Sequence, residues 1–136
     1  DEVAAIQEAG LETEYNPIVN CDGPDEKITG QLLQLLRPEN RPDGIIASVE
    51  KLVPPVYFAC KELQIRIPDE IRLIGFTNLT ASPILNPSLT TVTQPAFEIG
   101  KTAAALLFKG IEKTSFDLSR EKLVIPSQLQ LRDSTL

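Results

Sequence analysis

"LIGFTNLTASPILNPSLTTVTQP", residues 73–95, decides the fold of this chain. It opens as a buried strand over 73–76, runs through a loop holding Pro83 and Pro87, and ends in a Thr-rich extended piece that Pro95 closes. A core strand that stops at Thr77 and Asn78, followed by a long bridge to a second extended segment, raises the question of where the bridge leads.

Working outward from that stretch, strand and helix alternate. Upstream, "DGIIASV" (43–49) reads as a buried strand and "IRLIGF" (71–76) as another. Between them "VYFACKEL" (56–63) is helical, and Pro54 and Pro55 suit its opening turn because their missing N–H groups have no intrahelical partner there. Earlier, "DGPDEKITGQLLQLL" (22–36) carries a helix with Pro24 in its first turn. Asp25 and Glu26 meet the positive end of its dipole, and Ile28, Leu32, Leu35 and Leu36 form its buried stripe. Residues 2–9 place Val3, Ala4, Ile6 and Ala9 near one helical face, with Gly10 as the C-cap. "PIVNC" (17–21) is a short β-rich run, and Pro38 and Pro42 bracket a turn.

Downstream, "LTTV" (89–92) reads as a short strand. "FEIGKTAAALLFKGI" (97–111) is the clearest helix, with Phe97, Ala103, Ala104, Leu107 and Ile111 on one side. "KLVIP" and "QLQLR" are extended pieces in the tail, and residues 77–89 and 112–121 are linker-like. The alternation predicts an α/β fold: a mostly parallel sheet flanked by helices with right-handed crossovers.

Composition narrows the function. The 136 residues are the size of one domain. A net charge of -6 repels phosphate backbones, so this chain by itself is unsuited to nucleic acid. No apolar run approaches membrane-spanning length. The two cysteines, Cys21 and Cys60, read as buried thiols of a reducing compartment. Histidine is absent, which excludes Ser-His-Asp and Cys-His catalysis and makes zinc improbable. There is no glycine-rich phosphate loop, so no enzyme, metal or cofactor is expected. The acid pairs Asp25–Glu26 and Asp69–Glu70 read as dipole partners and solvated turns. The opening "DEVAAIQEAG" reads as the middle of a helix, which implies a longer protein.

Parallel sheets bind ligands beyond the carboxyl ends of their strands. That rule selects Ser48 with Val49 and Glu50, then Thr77 with Asn78, and finally Thr93 with Gln94. These neutral groups can bond hydroxyls or amides, and Ser, Thr and Asn after a strand are equally ordinary turn formers. Gln94 is biased to an extended conformation by Pro95. Glu50 and Lys51 are a candidate ion pair beside the site.

"RPDGIIASVEKL" (41–52), "CKELQIRIPDEIRLIGFTN" (60–78) and "NPSLTTVTQPAFEIGKTAAALLF" (86–108) together resemble the effector-binding core of the lactose-repressor (LacI/GalR) transcriptional regulators. The resemblance runs over about residues 1–133. It implies a periplasmic-binding-protein-like type I core of two α/β subdomains, of which this chain holds an incomplete part. Residues 1–93 and 122–136 would form the carboxyl-terminal subdomain, and 94–121 an excursion to the amino-terminal one. The crossing at "LTTVTQP" would make the long bridge a passage between subdomains. Helix 97–111 would then pack on a missing subdomain, and in this chain must dock on the sheet, swap with another copy or stay exposed.

A small effector, a sugar or related metabolite, would bind between the subdomains through Ser48, Thr77, Asn78 and Gln94. DNA would be met only through an amino-terminal head that this chain lacks. Where the family often has Ala-Asn-Asp, this chain has Ala47, Ser48 and Val49. Where the family often has Gly-(Phe/Tyr)-Asp, it has Gly75, Phe76 and Thr77, so the ligand-binding carboxylate is missing. The resemblance also implies a cytoplasmic homodimer with Val53, Val56, Tyr57 and Leu85 at its interface, or as core residues of the subdomain itself. The alternative is a periplasmic sugar-binding transport receptor of the same fold.

Overall fold

The computed structural model describes residues 2–12, 17–37, 41–112, 117, 119 and 121–136. In chain order the elements are α1 (Glu2–Glu8), α2 (Asp25–Leu36), β1 (Gly44–Ala47), a 3-10 turn (Glu50–Leu52), α3 (Val53–Glu62), β2 (Arg72–Phe76), a second 3-10 turn (Ser82–Ile84), β3 (Thr90–Thr93), α4 (Ala96–Glu112) and β4 (Gln128–Gln130). The strands lie in the order β1-β2-β3-β4. The first three are mutually parallel, and β4 runs antiparallel to β3.

Alternation within the strands separates two faces. Ala47, Leu73 and Gly75 share a face with Leu89, and all four are buried. Helices α2 and α3 pack on each other and cover this face, closing a core of Ile28, Leu32 and Leu36 against Val56, Ala59 and Cys60. The predicted stripe of α2 is therefore the buried one, with Leu35 half-buried at its margin. Pro24 sits one place earlier than expected, as the extended N-cap residue (ψ 160°), and Asp25 and Glu26 occupy the first turn. Gly75 lies where β2 meets α3: a Cβ there would stand 3.1 Å from Leu89 Cδ2 and 3.4 Å from Val53 Cγ2. Gly10 caps α1 as expected, at φ +72°, which a side chain would strain.

The opposite face carries Ile46, Ile74, Phe76, Val92 and Leu129 in register. Ile46 is 66% exposed and Leu129 57%. No described helix covers these residues as α2 and α3 cover the other face. In α4, likewise, no residue is buried. Within the single chain, helix 97–111 does not bury its apolar side on the sheet.

Several expectations change. The bridge 77–89 does not leave the sheet's own unit. It starts at the carboxyl end of β2 and returns to the amino end of β3, its parallel neighbour. Parallel neighbours need a dozen or more residues to bring the chain back, and that requirement explains the bridge's length. "PIVNC" and "KLVIP" both lie outside the sheet, and only the second tail piece pairs, as β4. Residues 38–40 of the proline-bracketed turn, and 113–116, 118 and 120 of the second linker, lie outside the described residues.

The tail is fastened by polar bonds. Ser134 Oγ, fully buried, donates to the Leu73 carbonyl at 2.6 Å and accepts the Thr90 N–H at 2.8 Å. Leu73 N–H donates to the Ser134 carbonyl at 3.0 Å. Ser88 Oγ donates to Asp133 at 2.7 Å, and the hydroxyls of Thr90 and Thr135 meet at 2.7 Å. Residues 132–135 thereby lock β2, β3 and the segment before β3 together.

Candidate functional site

A polar cavity of about 310 Å³ opens at the carboxyl ends of β2 and β3 and extends over β3 and β4. Thr77, Asn78 and Gln94 line it, as the strand-end rule predicts, and they are joined by Thr91, Gln130 and Arg132. Ser48 is not part of this wall. The strand alternation puts it on the other side of the sheet from Ala47, and it is exposed there.

Local bonding gives these residues different tasks. Thr77 is buried, and both functions of its hydroxyl are in use: it donates to the Glu50 carboxylate and accepts the Leu79 N–H at 2.8 Å. Thr77, expected as a ligand contact, thus spends its hydroxyl on the chain's own groups and holds Glu50 in place. Glu50 comes from the 3-10 turn after β1. It makes no ion pair with Lys51 among the described residues, and bonds Thr77 instead. A carboxylate is therefore present at the β2 strand end, supplied from the neighbouring strand's loop rather than from position 77.

Asn78 spans the gap between strand ends. Its Nδ2 donates to the Gln94 carbonyl at 2.7 Å, and its Oδ1 accepts the Gln94 N–H at 2.9 Å. This pair fixes the backbone of Gln94 and leaves its side chain uncommitted among the described residues. Arg132 was not singled out in the sequence. Its Nη1 donates to the Leu89 carbonyl (2.7 Å) and to Thr91 Oγ1 (3.0 Å), and its Nη2 donates to Gln130 Oε1 (2.6 Å). A tail reading "LRDST" offers no periodicity that would have marked it. Among the described residues no group of three or more His, Cys, Asp or Glu gathers as a metal site would require.

A second, apolar groove of about 600 Å³ follows α3, lined by Pro54, Tyr57, Phe58, Leu85 and Pro87. Tyr57 donates its hydroxyl to the Pro87 carbonyl at 2.7 Å, tying α3 to the bridge. Burial pushes the Tyr57 phenol up to about 12, with Cys60 adding to the effect. Burial likewise raises the Cys60 thiol to about 11, against a smaller opposing pull from Arg41. Both cysteines are free thiols, Cys60 buried and Cys21 half-buried. Of the four interface candidates, Tyr57 and Leu85 line this groove. Val53 also borders the groove at its floor, but at 1% exposed it belongs to the chain's own core, as does Val56 at 2%, which the groove does not reach.

The model of the periplasmic binding protein-like domain matches residues 3–135. The chain belongs to that family. The lactose-repressor resemblance is borne out within it. This periplasmic binding protein-like domain is 37% identical over 112 residues to a ribose operon repressor of Halalkalibacterium halodurans, a match covering 81% of the chain and 32% of the relative. It superposes on a LacI-family regulatory protein of Chloroflexus aggregans with a TM-score of 0.82 at 26% identity, over 98% of the chain and 48% of that protein. A LacI-family transcriptional regulator of Enterococcus faecalis V583, solved with bound ribose, matches with a TM-score of 0.72 at 28% identity, over 86% and 42%. The domain thus spans about a third of the length of the curated repressor and under half of the solved regulators. Among its described residues no helix is long and apolar enough to cross a membrane.

Proposed function

We propose that the chain is the ligand-sensing and dimerisation part of a DNA-binding transcriptional regulator, and that it binds a small polyhydroxylated effector, a sugar or close relative. The observation that carries this reading is the polar cavity at the carboxyl ends of β2 and β3, in a domain whose relatives are repressors. Glu50 takes the part of the missing aspartate from just outside the cavity's lining: bonded to Thr77, it accepts a ligand hydroxyl that reaches the β2 edge, since an ionised carboxylate forms charge-assisted bonds that a threonine does not. Thr77 orients Glu50, Asn78 fixes the β3 end, and the Gln94 side chain supplies a donor and an acceptor. No bond is made or broken in the ligand.

Effector binding favours one arrangement of residues 94–121 and their neighbours over another, and so biases how a dimer presents its DNA-binding heads. The acidic chain itself does not touch DNA. The groove along α3, with Phe58 64% exposed beside it, is the dimer surface in this reading. A cytoplasmic location follows from the same role. A transport receptor would share the cavity, but repressor relatives favour the regulator.

Calorimetric titration of a monosaccharide panel that includes ribose tests the reading. Saturable binding is expected, weakened about tenfold in Glu50→Gln, the effect of losing one bond to a charged group. Absence of saturable binding to every sugar, or an unchanged affinity in Glu50→Gln, overturns the effector site or the role of Glu50 respectively.

A further inference from the structure

We propose that the cavity contains an anion subsite centred on Arg132, so that the effector carries a phosphate or carboxylate group in addition to its hydroxyls. The inference rests on the ligand-binding reading of the same cavity and gives that ligand a charge.

The guanidinium is anchored through its two terminal nitrogens only. Three bonds hold it, to the Leu89 carbonyl, Thr91 and Gln130, and all use Nη1 and Nη2. Those partners are neutral, and Arg132 makes no ion pair among the described residues. Nε–H and one Nη2–H have no partner among the described residues. An arginine fixed by neutral acceptors, with donors to spare, presents a pre-oriented planar fork, the geometry that suits a carboxylate or phosphate.

The walls agree with that sign. No acidic side chain lines the cavity, although the whole chain has 19 acidic and 13 basic residues. Beside Arg132 the lining offers Thr80, Thr93 and the amides of Asn78, Gln94 and Gln130. Hydroxyls and amides stabilise an anion without competing for the guanidinium. Glu50 is the nearest carboxylate brought to the strand ends. It reaches the site through Thr77 at the carboxyl end of β2, whereas Arg132 follows the antiparallel β4 and bonds the Leu89 carbonyl before β3, two strands away and toward the opposite end of the strands. The two charges therefore suit opposite ends of one ligand: Glu50 at hydroxyls, Arg132 at the acid group.

The test uses the 136-residue chain labelled with ¹⁵N, titrated with inorganic phosphate at constant ionic strength and separately with ribose. Saturable phosphate-dependent shifts confined to the Arg132 Nε–H and the amides of Thr80, Thr93 and Gln130 are expected, and a loss of apparent affinity of about tenfold or more in Arg132→Gln. Because Arg132 also braces β3, a second variant leaves its contacts intact: Thr80→Glu adds a carboxylate to the exposed rim and is expected to weaken phosphate binding as well. Ribose shifts at the cavity without phosphate shifts would overturn the anion subsite and leave the effector reading standing. Phosphate shifts without any ribose response would support the subsite and count against a neutral sugar. Shifts spread evenly over the arginines, or no response to either probe, overturn the subsite.

Discussion

Cys60 shows how a buried residue fixes a pH limit. In the fold its thiol keeps its proton to about 11 because burial penalises the thiolate, while the ordinary value is 9.0. Between those values the unfolded chain has released a proton that the folded chain still holds. Stability is then full below pH 9 and falls as pH rises through 9 to 11. Denaturant midpoints measured from pH 8 to 11 should drop, and Cys60→Ala should flatten the decline. Tyr57, raised to about 12 by the same cause, leaves a residual slope above pH 10 in that variant. Glu50 is the residue whose task changed most between sequence and structure. Beside Lys51 it reads as one half of a local pair, and only the parallel pairing of β1 with β2 brings it to Thr77.

At the scale of elements, the tail clasp carries more weight than its four residues suggest. Ser134→Ala leaves the Thr90 N–H and the Leu73 carbonyl without the hydroxyl that serves both. Stranding a buried donor costs about 1–3 kcal/mol, so the urea midpoint should fall accordingly. A change under about 0.5 kcal/mol would mean that the strands close without the clasp. The elements also separate what sequence makes legible. The runs at 43–49, 71–76 and 89–92 announce β1, β2 and β3 because burial in a parallel sheet selects continuous apolar or β-branched residues. The stripe of α2 is plain for the same reason. "KLVIP" looks as apolar as any strand and does not pair, because pairing depends on a partner that the local pattern does not encode. The strand-end rule located Thr77, Asn78 and Gln94 at the cavity. It missed Arg132, which arrives by a bond network more than forty residues away in sequence.

For the whole molecule, the governing feature is one-sided coverage. Helices α2 and α3 close one face of the sheet, while Ile46, Phe76 and Leu129 stay exposed on the other, and Phe97, Leu107, Phe108 and Ile111 stay exposed on α4. Apolar surface of that extent favours association. Sedimentation of the isolated chain should show a concentration-dependent rise in mass. Phe58→Glu should lower that mass if the α3 groove is the contact, and leave it unchanged if α4 or the bare sheet face is responsible.

The pairing of Thr93 with Gln128 has a further consequence. Because β3 and β4 are antiparallel neighbours, everything between them is topologically the loop of a single hairpin, however large it has become. The sheet needs only that the two ends meet. Closure entropy grows slowly with loop length, by about 0.6 kcal/mol per doubling. The α4 excursion is thus a removable insert: residues 95–127 are exchangeable for a short turn, a different helix or a reporter domain, with the α2–α3 core and the tail clasp left as they are. The scaffold and the arm that it carries are separable parts, open to change one at a time.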